Sequence, residues 1–187
     1  RFINAKVPTV DDALAGARDI IAERLSETAG IREAMRSIFR SRRIVAKATK
    51  AAQTSQDASK YRTYFDFSMP LQRIPSHNVL AILRAAGEGF LSVSIDADPE
   101  RCAKKIYYDF CQEHSSPSKA LAEQINLAVE DSYKRLLEPS ISNEILKEAK
   151  EKADVEAINV FGENLRQLLL SSPVGQKRTL AIDPGFR

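Results

Sequence analysis

SISNEILKEAKEKADVEAINVFGENLRQLLLS, residues 140–171, is the longest stretch of the chain without a strong helix breaker, and its reading decides the fold. Ile145, Ala149, Ala153, Ala157, Val160, Phe161, Leu165, Leu168 and Leu169 recur along it at helical spacing. At 1.5 Å rise per residue the helix would span roughly 45 Å, more than one small core can cover. It is therefore expected to act as a strut between modules, with Lys147, Lys150, Glu151 and Lys152 on its solvated side. Gly162 interrupts it and should soften it by up to about 1 kcal/mol. Pro173 and Gly175 end the helix, and the apolar run that follows predicts a terminal strand over 179–183 with no obvious local partner.

Working back toward the N-terminus, Thr9 and Asp12 form a capping pair, and Val10, Leu14, Ala17, Ile21 and Leu25 then recur as one face of a helix to about Thr28. Gly30 suits the end of that helix, so a second is expected from about Ile31, burying Ile31, Met35 or Ala34, Ile38 and Phe39. Residues 51–59 are small and polar and predict a mobile loop. Four aromatics follow within residues 61–67. Pro70 and Pro75 then bracket a rigid link, because each residue before a proline is pushed away from α geometry. Ser76 is expected to cap a helix to Gly87 with Leu80 and Leu83 inside. The alternation in residues 91–95 predicts a half-buried strand. Asp98 and Pro99 start a helix to about His114 around Ile106 and Phe110. Ser116 and Pro117 start another around Leu121, Ile125, Ala128 or Val129, and Leu136, which Pro139 should stop.

The expected fold is thus mostly α, a multi-helix array with a short strand near 91–95, the strut helix at 140–171 and the terminal strand at 179–183. Its expected divisions are a helical hairpin over 1–50, a helical core over 51–138, the connecting helix over 139–172 and the start of a further unit at 178–187.

The 187 residues are 43% hydrophobic with seven Gly and eight Pro, which excludes disordered and collagen-like classes. No apolar run approaches the roughly 18–20 residues of a membrane span, and no leader-like segment opens the chain, so a cytoplasmic location without membrane contact is expected. Cys102 and Cys111 would lie on opposite helix faces, which disfavours a disulfide. Cys111 and His114 share a face but lack a third ligand. Glycine-rich phosphate loops, nucleophile elbows and HExxH or CxxC patterns are missing, and His77 has no nearby acid. The expectation is a non-enzymatic chain with no metal and no cofactor.

Net charge is +3, but its layout is uneven. Residues 31–77 carry ten basic and three acidic groups, while the segments on either side are slightly acidic. Over residues 32–50 the ratio is seven to one, with Arg32, Arg36, Arg40, Arg43 and Lys47 at three- and four-residue steps, joined by Arg42 and Lys50. Like charges so placed on a helix are mildly unfavourable without a partner. Nucleic-acid phosphate is one such partner. The other reading is that acidic residues elsewhere in the fold, those of the long helix among them, pair with the stripe. Tyr61 and Tyr64 beside Lys60, Arg62 and Arg73 are a candidate stacking platform for single-stranded bases, against the alternative that they pin a loop to the core. Asp183, at the end of the terminal strand before Gly185, occupies a place where nucleases of the ribonuclease H type hold a metal-binding carboxylate, although one carboxylate cannot do this alone.

Taken together, GARDIIAE (16–23), KYRTYFDFSMPLQRIPSH (60–77), LAILRAAGEG (80–89), YKRLLEPSI (133–141) and FGENLRQLLLSSPVGQKRTLAIDPGFR (161–187) resemble the bacterial Tex proteins, transcription accessory proteins with an S1 RNA-binding domain. The resemblance implies an internal portion of a longer chain, preceded by a further helical region. After it would come a YqgF-type ribonuclease H-like domain, helix-hairpin-helix elements and a C-terminal S1 domain. Strand 179–183 would be the first of the YqgF-like sheet, and Asp183 would match its first acid. It further implies a transcription factor that binds RNA or DNA through the full-length protein, with RNA polymerase or other transcription components as partners. A divalent-metal nuclease using Asp183 and a protein-docking module are the competing expectations.

Overall fold

Along the chain run α1 (Val10–Glu27), α2 (Ala29–Arg40), β1 (Arg43–Ala48), α3 (Lys50–Thr54), a 3₁₀ segment (Asp57–Tyr64), β2 (Asp66–Pro70), α4 (Ser76–Gly87), β3 (Leu91–Ile95), α5 (Pro99–Glu113), α6 (Lys119–Asp131), a π-helical segment (Ser132–Leu137) and α7 (Glu138–Leu169). The structure, a computed structural model, describes residues 7–113, 117–173, 175–183 and 185. The fold is mostly α.

Thr9 caps α1 as its sequence predicts. Its hydroxyl accepts the Asp12 N–H at 3.1 Å while the Asp12 carboxylate accepts the Thr9 N–H at 3.2 Å. Thr28 ends α1 and precedes α2 directly, so Gly30 lies inside the second helix rather than closing the first. Ile31, Met35 and Phe39 are buried from α2. The second helix stops at Arg40, ten residues before the expected end of the basic stretch, and residues 43–48 are a strand. The apolar pattern outweighs the charge spacing here: Ile44 and Ala46 are fully buried while Arg43 and Lys47 face out, a period of two. β1 is the centre of a three-stranded antiparallel sheet of order β2-β1-β3, with Val45 opposite Ser68 on one side and Ser94 on the other.

Residues 51–59, expected as a loop, instead form most of α3 and the start of the 3₁₀ segment, which bury Ala52 and Ala58. In α4 the buried side chains are Val79, Ile82 and Ala85, one position from the Leu80 and Leu83 of the expectation. Pro75 occupies the cap position, and the Ser76 hydroxyl donates to Glu156 of α7 instead of capping its own helix. Asp98 accepts the Glu100 and Arg101 N–H groups at 3.0 and 3.3 Å, capping α5. Ser116 and His114 lie outside the described residues. α6 starts from Ser118 and buries Ile125, Ala128 and Val129, while Leu121 stays exposed.

Pro139 does not stop the helix that precedes it. α6, the π segment and α7 run on without a break from Lys119 to Leu169. A proline inside an α-helix lacks the donor for the carbonyl four residues back, and its ring clashes with that carbonyl. The wider π turn just before it, in which the Glu138 N–H donates to Tyr133 O, relieves that conflict. Ser132 is fully buried in this turn and donates to Ala22 O of α1 at 2.9 Å.

Two apolar clusters result. One joins α1, α2, α5, α6 and the first half of α7 around Phe39, Tyr133 and Ile141. The other joins the sheet to α4 around Ile44, Tyr61 and Ile82. Leu71 and Leu146 pack against both. α7 is buried at Ile141, Ile145 and Ala153, and beyond that it leaves the core: Ile158, Phe161, Leu165 and Leu168 are exposed, Phe161 to 67%. Residues 179–183 pair with no strand among the described residues, so the expected terminal strand is not formed in this structure.

Candidate nucleic-acid interface

Positions 32, 36 and 40 are four residues apart and therefore fall on one face of α2. That face meets Glu144 and Glu148, themselves four apart on α7. Glu144 takes two arginines: Arg36 Nε donates to it at 2.6 Å and Nη2 at 3.3 Å, and Arg32 Nη2 approaches at 3.4 Å. Arg32 also donates to Ser140 Oγ at 3.1 Å. Arg40 forks onto Glu148 at 3.2 and 3.0 Å. Glu33, the lone acid of the stripe, lies 3.3 Å from Arg36 and 3.8 Å from Arg40. The pairs climb both helices in the same direction, forming an arginine ladder along the seam.

The charges respond accordingly. Hydrogen bonding to Glu144, then its negative charge, raises the Arg36 guanidinium above its ordinary pKa. Glu148 does the same for Arg40. The Arg36 hydrogen bond, reinforced by the charges of Arg36 and Arg32, holds the Glu144 carboxyl below the usual carboxylate value. Side chains of Arg36 and Glu144 remain 25% and 33% exposed, so water still reaches the ladder.

The other members of the basic stretch go elsewhere. Arg42 follows α2 with its Nε buried and without a hydrogen-bond partner among the described residues. Arg43 donates from Nε to Ser68 Oγ at 2.8 Å and from Nη2 to Ser68 O at 2.7 Å, across the β1–β2 pair. Lys47 lies on the same outward face of β1, in register with Asp66 and Ser92, and Lys50 opens α3. Neither lysine has an ion-pair partner among the described residues, and both are exposed. Arg43, Lys47 and Lys50 are thus the stretch's cations that α7 leaves uncovered.

The aromatic cluster is turned inward. Tyr61 is only 6% exposed, and its hydroxyl donates to Glu88 at 2.9 Å. Lys60 completes this group, with its ammonium 3.2 Å from Glu88 and 4.9 Å from the Tyr61 ring centroid. The Tyr61 hydrogen bond, more than the Lys60 charge, lowers the Glu88 carboxyl. Tyr64 is half-buried, donates to Asn78 at 2.9 Å and meets Phe67 edge-on at 5.6 Å. Glu88 and Asn78 are partners that spacing alone could not identify, since they lie 27 and 14 residues from the tyrosines they hold.

Asp183 is exposed and accepts the Gly185 N–H at 3.3 Å. Among the described residues no three His, Cys, Asp or Glu side chains gather closely enough to hold a metal ion. Cys102 and Cys111 are free thiols, and burial pushes the Cys102 thiol up. No described helix is long and apolar enough to cross a membrane.

Residues 1–161 match the family model described as Tex central region-like. YdcI of Bacillus subtilis is 36% identical over 183 residues, covering 97% of this chain and 25% of that protein. The transcriptional accessory protein Tex of Neisseria gonorrhoeae is 31% identical over 193 residues, all of this chain and 25% of its own length. The human S1 RNA-binding domain-containing protein 1 is 26% identical over 189 residues, 96% of this chain and 19% of that protein. The chain therefore spans about a quarter or less of the length of these relatives.

Proposed function

The chain belongs to the Tex central region-like family, and from that premise we propose that it is the non-enzymatic scaffold of a cytoplasmic transcription accessory protein that binds RNA or DNA when full-length. One observation carries this reading: the first half of α7 is locked to the body through the core and the arginine ladder, whereas its second half projects with an apolar face uncovered. A helix held at one end and apolar at the other is a strut, and its distal half carries the unit that follows in the longer protein. Phosphate contact falls to Arg43, Lys47 and Lys50, while the ladder arginines act in positioning.

A salt titration of single-stranded RNA against this chain and against the full-length protein tests the scaffold reading. Full-length protein binds much more tightly, and charge-to-alanine substitution at Arg43, Lys47 and Lys50 lowers its salt slope by up to about 2, near 0.7 for each phosphate no longer neutralised. An unchanged slope refutes phosphate binding by these three cations. Equal affinity of the isolated chain and the full-length protein refutes the scaffold role.

A further inference from the structure

Between the end of α2, the link at residues 70–75 and α7 lies an open cleft of about 490 Å³, within the roughly 300–1,000 Å³ range of ligand-sized sites. Its apolar lining is aliphatic, from Leu71, Ile74, Val79 and Ile145, and it includes no aromatic ring. The link forms one wall and is preformed: prolines stand at both ends, the Leu71 N–H donates to Arg42 O at 2.9 Å and the Arg73 N–H to Pro70 O at 3.0 Å. A wall so held loses little freedom when a ligand arrives.

The charges around this cleft are unevenly engaged. Lys152 has Glu148 and Glu156 as its helix neighbours, four residues away on each side, but Glu148 is turned to Arg40 and Glu156 accepts the Ser76 hydroxyl. Lys152 and, on the facing link, Arg73 are both exposed and have no ion-pair partner among the described residues. Glu156 keeps its negative charge while accepting a neutral hydroxyl, but Arg40, Arg73 and Lys152 outnumber Glu148 and Glu156 along the lining, so the cleft offers aliphatic surface between two cations free of ion pairs, one on each wall. Bases bound without sequence preference stack on aromatic rings, which this lining does not provide.

We propose that this cleft docks a short peptide segment of a partner protein in which bulky aliphatic side chains are flanked by carboxylates. The aliphatic side chains enter between the link and α7, and the carboxylates meet Arg73 and Lys152. This site is separate from the cations on the outer face of the sheet, so it stands or falls independently of the phosphate binding proposed above.

Fluorescence anisotropy of the full chain with the labelled peptide DDDLLLDDD tests the proposal, with DDDSSSDDD as control. The leucine peptide is expected to bind at least about tenfold more tightly, the difference made by burying aliphatic side chains. Arg73→Glu with Lys152→Glu should weaken it about tenfold again; an acid at position 152 stands one helical turn from both Glu148 and Glu156, so the melting temperature should fall by no more than about 4 °C. Ala149→Phe, which fills the cleft, should abolish binding, with circular dichroism verifying the fold. Equal affinity for the two peptides, no measurable binding, or no effect of the double charge reversal overturns the proposal. So does a ten-residue oligothymidylate that outcompetes the leucine peptide and depends on the same two cations, since the occupant would then be nucleic acid.

Discussion

Replacing Glu144 with Gln keeps the shape of the side chain that Arg32 and Arg36 share and removes its charge. In the native protein the carboxylate receives Arg36 at 2.6 and 3.3 Å and Arg32 at 3.4 Å. Exposed ion pairs contribute about 0–1 kcal/mol, and hydrogen bonds to charged groups about 1.5–3. With a third of the Glu144 side chain still open to water, the substitution should cost about 1–2 kcal/mol, or roughly 2–8 °C in melting temperature for a domain of this size. The pH dependence follows from the lowered carboxyl. A group whose folded pKa lies below its unfolded value of about 4.5 contributes fully above that value, and the contribution is lost as pH falls through the folded pKa. Thermal unfolding of wild type and variant should therefore show the full gap at pH 7 and a shrinking gap as the solution is taken well below pH 4. Equal melting temperatures at pH 7, or a gap undiminished in acid, would refute the ladder as a stabilising element. The variant also uncovers two guanidiniums, so its affinity for single-stranded RNA at low salt should rise.

Three further substitutions probe other parts of the fold. Tyr61→Phe removes the 2.9 Å bond to Glu88 and should cost about 0.5–1.5 kcal/mol in urea unfolding; an unchanged urea midpoint would refute the contribution of that bond. Ser132→Ala deletes the buried bond to Ala22 O and should cost about 1 kcal/mol, whereas Ser132→Leu overpacks the contact with α1 and should cost about 1–3 kcal/mol; chemical denaturation measures both. Phe161→Ser, on the projecting half of α7, should change the stability of this chain by less than about 0.5 kcal/mol. In the full-length protein the same change should lower stability or domain cohesion, and limited proteolysis would report it.

Much of the helical architecture was legible because its signals are local. Thr9 and Asp12 cap α1, the alternation from Leu91 to Ile95 forms β3, and the helical recurrence after Pro139 forms α7. The errors share one physical origin, a local signal outweighed by a distant contact. Basic residues at helical spacing suggested a helix through residue 50, yet Ile44 and Ala46 gain burial only as a strand between β2 and β3, partners that begin 18 and 43 residues later along the chain. Pro139 carries a stop signal, but the π turn and the buried Ser132, Tyr133 and Leu137 hold the helix continuous. Apolar residues at 179–183 favour a strand, but a strand needs a ladder partner, and none of the described residues provides one.

For the candidate site, the amino-acid sequence by itself determined that cations concentrate between residues 31 and 77 and that aromatics cluster at 61–67. It also contained the repeated four-residue spacing that lets Arg32, Arg36 and Arg40 meet Glu144 and Glu148. Only tertiary structure decided which cations those acids neutralise, because the ladder joins residues 108 to 112 positions apart and charge composition holds no information about such pairing. That choice leaves Arg43, Lys47 and Lys50 uncovered on the sheet side, and it turns Glu148 away from Lys152 beside the cleft.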